Sequence, residues 1–121
     1  VVLETNGSIL FDGLPEKVKI IMDVKTPSSK MDHKNEFRNF EYLSFDDEVK
    51  IPVADKKDFD YGMWVIKRYN LINITNVSLS PIWDPKSSQT FISPVDLTEL
   101  ILDSALPIRL NIQMHKLIGI K

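Results

Sequence analysis

Ile20-Ile21-Met22-Asp23-Val24-Lys25-Thr26-Pro27-Ser28-Ser29 is an apolar run that ends in an acid and a base two residues apart and then breaks. Residues 18–24 are rich in β-branched and apolar side chains, which predicts a strand buried on both faces. Side chains alternate across a strand, so Asp23 and Lys25 leave the same face, about 7 Å apart along it. Pro27 lacks an amide hydrogen and pushes Thr26 toward extended geometry, which ends the ladder. A carboxylate and an ammonium thus stand at the C-terminal tip of a strand, where α/β proteins bind ligands. The pair suits a zwitterion, whose ammonium would meet Asp23 and whose carboxylate would meet Lys25. A local salt bridge at a strand end is the other reading.

Working outward, Val1 to Glu4 predicts a short strand, and Thr5-Asn6-Gly7-Ser8 the turn leaving it. Asn35 is expected to cap a short helix with Phe37, Phe40 and Leu43 as its apolar stripe. Residues 48–53 alternate as a strand, with Pro52 pointing to a sheet edge or a bulge. Asp55, with Asp58 three residues on, predicts a capped helix that buries Phe59, Met63, Ile66 and Tyr69. Residues 73–80 form the next strand and 82–92 a long loop. Ser93-Pro94 opens a helix with Leu97, Leu100 and Ile101 on its core face. The last strand, 108–115, sends Ile108, Leu110, Ile112 and Met114 one way and Arg109, Asn111, Gln113 and His115 the other.

This order, strands alternating with helices, predicts a mostly parallel α/β sheet of about five strands in a single domain over residues 1–121. Five such strands make an open sheet or half of a (β/α) barrel. The strand ends are more polar than the strands before them: Glu4-Thr5-Asn6, Asp23 and Lys25, Ala54-Asp55, Ser80, and Gln113 with His115. They place a polar site along one edge of the sheet.

The chain has 121 residues, of which 43% are hydrophobic and 26% charged, the balance of a globular domain. A formal net charge of −2 argues against binding nucleic acid through a basic face. No apolar run reaches the roughly 18 residues of a membrane span. There is no cysteine, so these residues form no disulfide and ligate no iron–sulfur cluster through thiolates. A cytoplasmic location is expected. Because the first residues already read as a strand, further chain is expected upstream of Val1.

Glu4-Thr5-Asn6-Gly7, Asp23-Val24-Lys25 and the following Thr-Pro-Ser-Ser resemble radical S-adenosylmethionine activases. Asp47-Glu48-Val49-Lys50, Leu79-Ser80-Pro81 and the tail Gln113-Met114-His115-Lys116-Leu117-Ile118-Gly119-Ile120-Lys121 narrow the likeness to the 7-carboxy-7-deazaguanine synthases of deazapurine (queuosine and archaeosine) biosynthesis. The resemblance implies the C-terminal half of an incomplete (β/α) radical-SAM barrel. It implies a lyase that contracts the ring of 6-carboxy-5,6,7,8-tetrahydropterin with S-adenosylmethionine, a [4Fe-4S] cluster and Mg²⁺. By the same likeness, Thr5, Asn6, Asp23, Val24 and Lys25 would hold S-adenosylmethionine, and Glu4, Gln113, His115 and Lys121 the pterin substrate. In the family a chain end just past Gly-Ile would meet the substrate with its own carboxylate, on a residue expected to be proline, whereas Lys121 stands at the matching place here. The CxxxCxxC cluster motif, the Gly-Gly-Glu-Pro segment and the metal-binding threonine are absent, so no catalytic residue and no metal ligand is expected in this chain. It is expected to have no radical activity alone, and to dimerise or self-associate through the strand edge at 1–4. A glycyl-radical activase and a non-catalytic α/β binding module are the other readings.

Overall fold

Along residues 48–53, Val49, Ile51 and Val53 are completely buried, while Glu48, Lys50 and Pro52 are only half-buried. This period of two makes a strand with one apolar and one polar face. A computed structural model describes residues 2–5 and 19–112. Its strands and α-helices are, in chain order, β1 (Val2–Thr5), β2 (Lys19–Asp23), β3 (Glu48–Val53), α1 (Lys56–Arg68), β4 (Asn76–Pro81), β5 (Trp83–Asp84), β6 (Gln89–Thr90), α2 (Pro94–Ser104) and β7 (Arg109–Leu110). Strands β1-β2-β3-β4-β7 form one sheet in that order, every neighbouring pair parallel.

Both helices contribute to the same apolar cluster as Met22, Val49, Ile51 and Leu79. Asp55 caps α1 by accepting from Asp58 N at 2.9 Å, and Phe59, Met63, Val65 and Ile66 are buried. The approach of α1 to β3 is close: a Cβ on Gly62 would lie 3.1 Å from Ile51 Cγ2. Ser93 caps α2 with Pro94 at its first turn, and Leu97 and Ile101 are buried. Removing such a Leu or Ile from water is worth about 1.5–3 kcal/mol. Sequential strand order with both helices serving one apolar face is singly wound topology, unlike a doubly wound sheet, whose order reverses.

Several expectations are corrected. β2 is buried on one face only: Ile20, Met22 and Val24 are covered, while Ile21 and Asp23 are half-buried. Pro52 is not at an edge, since β3 pairs with both β2 and β4. Val53 O accepts from Ile82 N on the β4 side, so the Pro52 peptide faces β2, just past the end of that strand. No β3–β4 bond is therefore lost, and Thr26 Oγ1 donates to Pro52 O at 3.0 Å.

The helix expected after Asn35 is a 3₁₀ helix over Phe37–Tyr42, capped by Glu36. Its apolar residues recur every three positions, which matches a 3₁₀ turn, and the Phe37 and Phe40 rings stack at 5.5 Å. The loop 82–92 contains the antiparallel pair β5–β6. Of the last strand expected over 108–115, the described residues show Arg109–Leu110, continued by Asn111 N donating to Leu79 O at 2.8 Å, and 113–115 lie outside the described residues. Among the described residues, no helix is long and apolar enough to cross a membrane.

Candidate functional site

The chain leaves β2 through Val24, which is fully buried and donates its N–H to Lys50 O at 2.9 Å. On either side of it, Asp23 and Lys25 reach out from the same face, and Lys25 Nζ lies 3.3 Å from Asp23 Oδ2. The Lys25 and Asp23 side chains remain 31% and 35% exposed. An ion pair that wet contributes about 1 kcal/mol or less. The local salt bridge is therefore present, and it is weak enough for a ligand to displace.

A layer of polar groups, of which Thr26 and Asp58 are buried, fixes the turn behind this pair. Asn35 Oδ1 accepts from Lys25 N at 2.9 Å, and Asn35 Nδ2 donates to Lys25 O at 2.8 Å and to Tyr61 Oη at 3.1 Å. Thr26, fully buried, bonds the Pro52 carbonyl. Ser29 closes the turn by donating N and Oγ to Thr26 O. Asp58 has no exposed surface; its Oδ1 accepts from Ser28 N at 3.0 Å and its Oδ2 from Ala54 N at 2.9 Å. One carboxylate thus ties the turn after β2 to the start of α1. At the other end of β2, Asp47 accepts from Ile20 N at 2.7 Å and from Ser44 N at 2.8 Å.

Burial holds the Tyr61 hydroxyl above the ordinary tyrosine pKa, against the opposing effect of its bond from Asn35. None of these supports was assigned from the sequence. Asn35 resembled a helix cap, and Asp58 resembled the second half of a capping box; only the fold shows what each reaches.

Sheet register sets the rest of the polar face. Asp23 is level with Lys50, Lys50 with Ser78, and Ser78 with Arg109, giving acid, base, hydroxyl and base across four strands. Ser78 Oγ donates to Glu48 Oε2 at 3.1 Å, one step back along the face. Ser78 and Ser80 are buried, and Lys50 and Glu48 are half-buried. All-parallel sheets ordinarily have two apolar faces. A polar face here is therefore the surface on which a polar ligand can sit.

Of the sequence-derived site residues, the fold brings together Asp23, Val24 and Lys25. Thr5 is level with Met22 and Glu4 with Ile21, so β1 runs beside β2, and Thr5 falls in the Met22 row and not in that of Asp23. Asn6, Gln113, His115 and Lys121 lie outside the described residues, as does the side chain of Glu4. Among the described residues, no three His, Asp or Glu side chains gather as a metal site, so these residues offer Mg²⁺ no ready ligand set. The cysteine-free sequence offers no thiolate to a [4Fe-4S] cluster. An adjoining cleft of ≈ 450 Å³ lies between the 3₁₀ turn and the end of α1, lined by Phe37, Phe40, Tyr69 and Ile74 and, on the side toward Lys25, by Asn35. Neither Asp23 nor Lys25 borders it.

Comparison with known proteins gives one consistent answer. A 7-carboxy-7-deazaguanine synthase of Methanospirillum hungatei JF-1 is 36% identical over 127 residues, covering 98% of this chain and 46% of that protein. One from Koribacter versatilis is 29% identical over 125 residues, covering 98% and 55%. One from Clostridium acetobutylicum is 32% identical over 120 residues, covering 96% and 52%. The chain spans about half the length of the curated relatives it matches. No protein-family model matches it, and no solved structure does. This chain is thus a relative of the 7-carboxy-7-deazaguanine synthases, matching them along nearly all of its own length and about half of theirs.

Proposed function

We propose that this chain is the C-terminal half of a (β/α) barrel in a 7-carboxy-7-deazaguanine synthase, and that its polar sheet face holds the amino-acid end of S-adenosylmethionine. One observation carries the reading. A weak, half-exposed pair of opposite charges, Asp23 and Lys25, stands at the C-terminal end of a parallel strand in a relative of these synthases. An α-amino acid brings its own ammonium and carboxylate. Its entry exchanges the single Asp23–Lys25 pair for two, ammonium on Asp23 and carboxylate on Lys25, and the carboxylate bond to Lys25 is charge-assisted. The Val24 backbone and the turn at 26–29 fix the position of both groups. Thr5 and Asn6 would line the same ligand, and Glu4, Gln113, His115 and Lys121 the carboxytetrahydropterin substrate.

When bound, S-adenosylmethionine supplies the hydrogen-abstracting chemistry of such a lyase; the residues here bind and orient it. The cluster has no ligand set in this sequence and Mg²⁺ none among the described residues, so neither is assigned to this chain, which alone is inactive. The outer edge of β1 has no neighbour among the described residues and would take another strand, from the rest of a barrel or from a second copy. The test is an assay of a protein that joins this chain to the remaining half of a synthase. Formation of 7-carboxy-7-deazaguanine from 6-carboxy-5,6,7,8-tetrahydropterin, abolished by Lys25→Ala, is expected. A cluster-loaded protein that cleaves S-adenosylmethionine but leaves the pterin untouched would instead favour another activase.

A further inference from the structure

We propose that Asn35 is the positioning residue of this site, aiming the Lys25 ammonium at the ligand carboxylate; the proposal rests on the reading of Asp23 and Lys25 given above. β2 ends at Asp23, so the Lys25 peptide lies beyond the ladder. Val24 N donates to Lys50 O on the β3 side. By strand alternation, the N–H and C=O of Lys25 point the other way, toward β1. Among the described residues β1 supplies no partner there, its last described pair being Thr5 with Met22.

Among the described residues, one side chain bonds both groups. Asn35 accepts from Lys25 N at 2.9 Å and donates to Lys25 O at 2.8 Å. A primary amide carries its acceptor and donor side by side, and so does for Lys25 what one residue of a neighbouring strand would do. Tyr61 fixes the orientation, because its hydroxyl takes a second bond from Asn35 Nδ2 at 3.1 Å. The Lys25 backbone is thereby held one residue past the end of its strand. Its side chain then meets Asp23 from a fixed point and does not sweep across the face.

The consequence is selective. A clamp on Lys25 matters for a ligand group that Lys25 holds, and not for the group that Asp23 holds. Isothermal titration of the chain with two probes separates them: S-adenosylhomocysteine, which keeps amine and carboxylate, and its decarboxylated analogue, which keeps only the amine. Asn35→Ala is expected to weaken binding of S-adenosylhomocysteine by about tenfold, the scale of one charge-assisted bond. Binding of the decarboxylated analogue is expected to stay within about twofold of wild type. Tyr61→Phe, which frees the amide without removing it, is expected to show the same selective loss at about threefold. Thermal unfolding of each variant confirms that it is folded. Equal losses for the two probes, as a general loosening would give, overturn the proposal, and so does no loss for either. A wild-type chain that binds the two probes equally well overturns the reading of Lys25 itself, and the assignment of Asn35 with it.

Discussion

Asp58→Asn tests whether the turn behind the site is held as the hydrogen bonds indicate. The carboxylate has no exposed surface and satisfies two backbone donors from different elements, Ser28 N at 3.0 Å and Ala54 N at 2.9 Å. An amide of the same size keeps one acceptor and turns an NH₂ toward the other donor. The cost has two parts. One buried N–H loses its acceptor, about 1–3 kcal/mol, and the surviving bond loses its charge assistance, about 1 kcal/mol. The expected destabilisation is about 2–4 kcal/mol, a large share of the roughly 6–18 kcal/mol that a domain of this size has in total.

Asp60→Asn is the control on the same helix. Its 2.7 Å pair with Lys56 is 60% or more exposed on both sides, so its loss is expected to cost less than about 0.5 kcal/mol. Urea unfolding followed by circular dichroism measures both. If Asp58→Asn costs no more than Asp60→Asn, Asp58 does not tie the turn to the helix and the buried support proposed for Lys25 is wrong.

Lys25→Ala is expected to leave stability within about 0.5 kcal/mol of wild type, because its ion pair is wet, while abolishing any preference for a carboxylate-bearing ligand; a large drop in melting temperature would contradict this. Tyr61 titrates above the ordinary value of about 10 because burial disfavours the phenolate. A group that is harder to ionise when folded stabilises below the unfolded pKa and loses that contribution as pH rises beyond it. Stability is therefore expected to fall above pH of about 10, less steeply in Tyr61→Phe, as unfolding at pH 8 and above will show. Pro52→Ala is expected to be nearly neutral, within about 1 kcal/mol, since the Pro52 nitrogen faces the end of β2 and not β4. A cost beyond that in denaturant titration would mean the proline has a further role.

Much of this fold was legible because strand and helix periods are local. Residues 48–53 read as a strand, Asp55 and Ser93 as caps, and Asp23 and Lys25 as one face, and each is so. The misreadings share one cause. Pro52 suggested an edge because proline cannot donate, but which neighbour a strand nitrogen faces depends on where the other strands stop. Asn35 suggested a cap because its partner ten residues earlier cannot be seen in a linear pattern. The 3₁₀ turn was hidden because a helix of either pitch can present Phe37 and Phe40 on one side. The register row of Asp23, Lys50, Ser78 and Arg109 depends on three strand pairings at once, which no spacing along the chain encodes.

The central claim is that Asp23 and Lys25 grip an amino acid attached to a nucleoside. The most direct measurement is a ¹H–¹⁵N spectrum of the uniformly labelled chain titrated with S-adenosylhomocysteine. Saturating shifts at the amides of Asp23, Val24 and Lys25, abolished in Lys25→Ala, are predicted. Saturating shifts confined to the aromatic cleft around Phe37, Phe40 and Tyr69, or no shift at any residue, would contradict it.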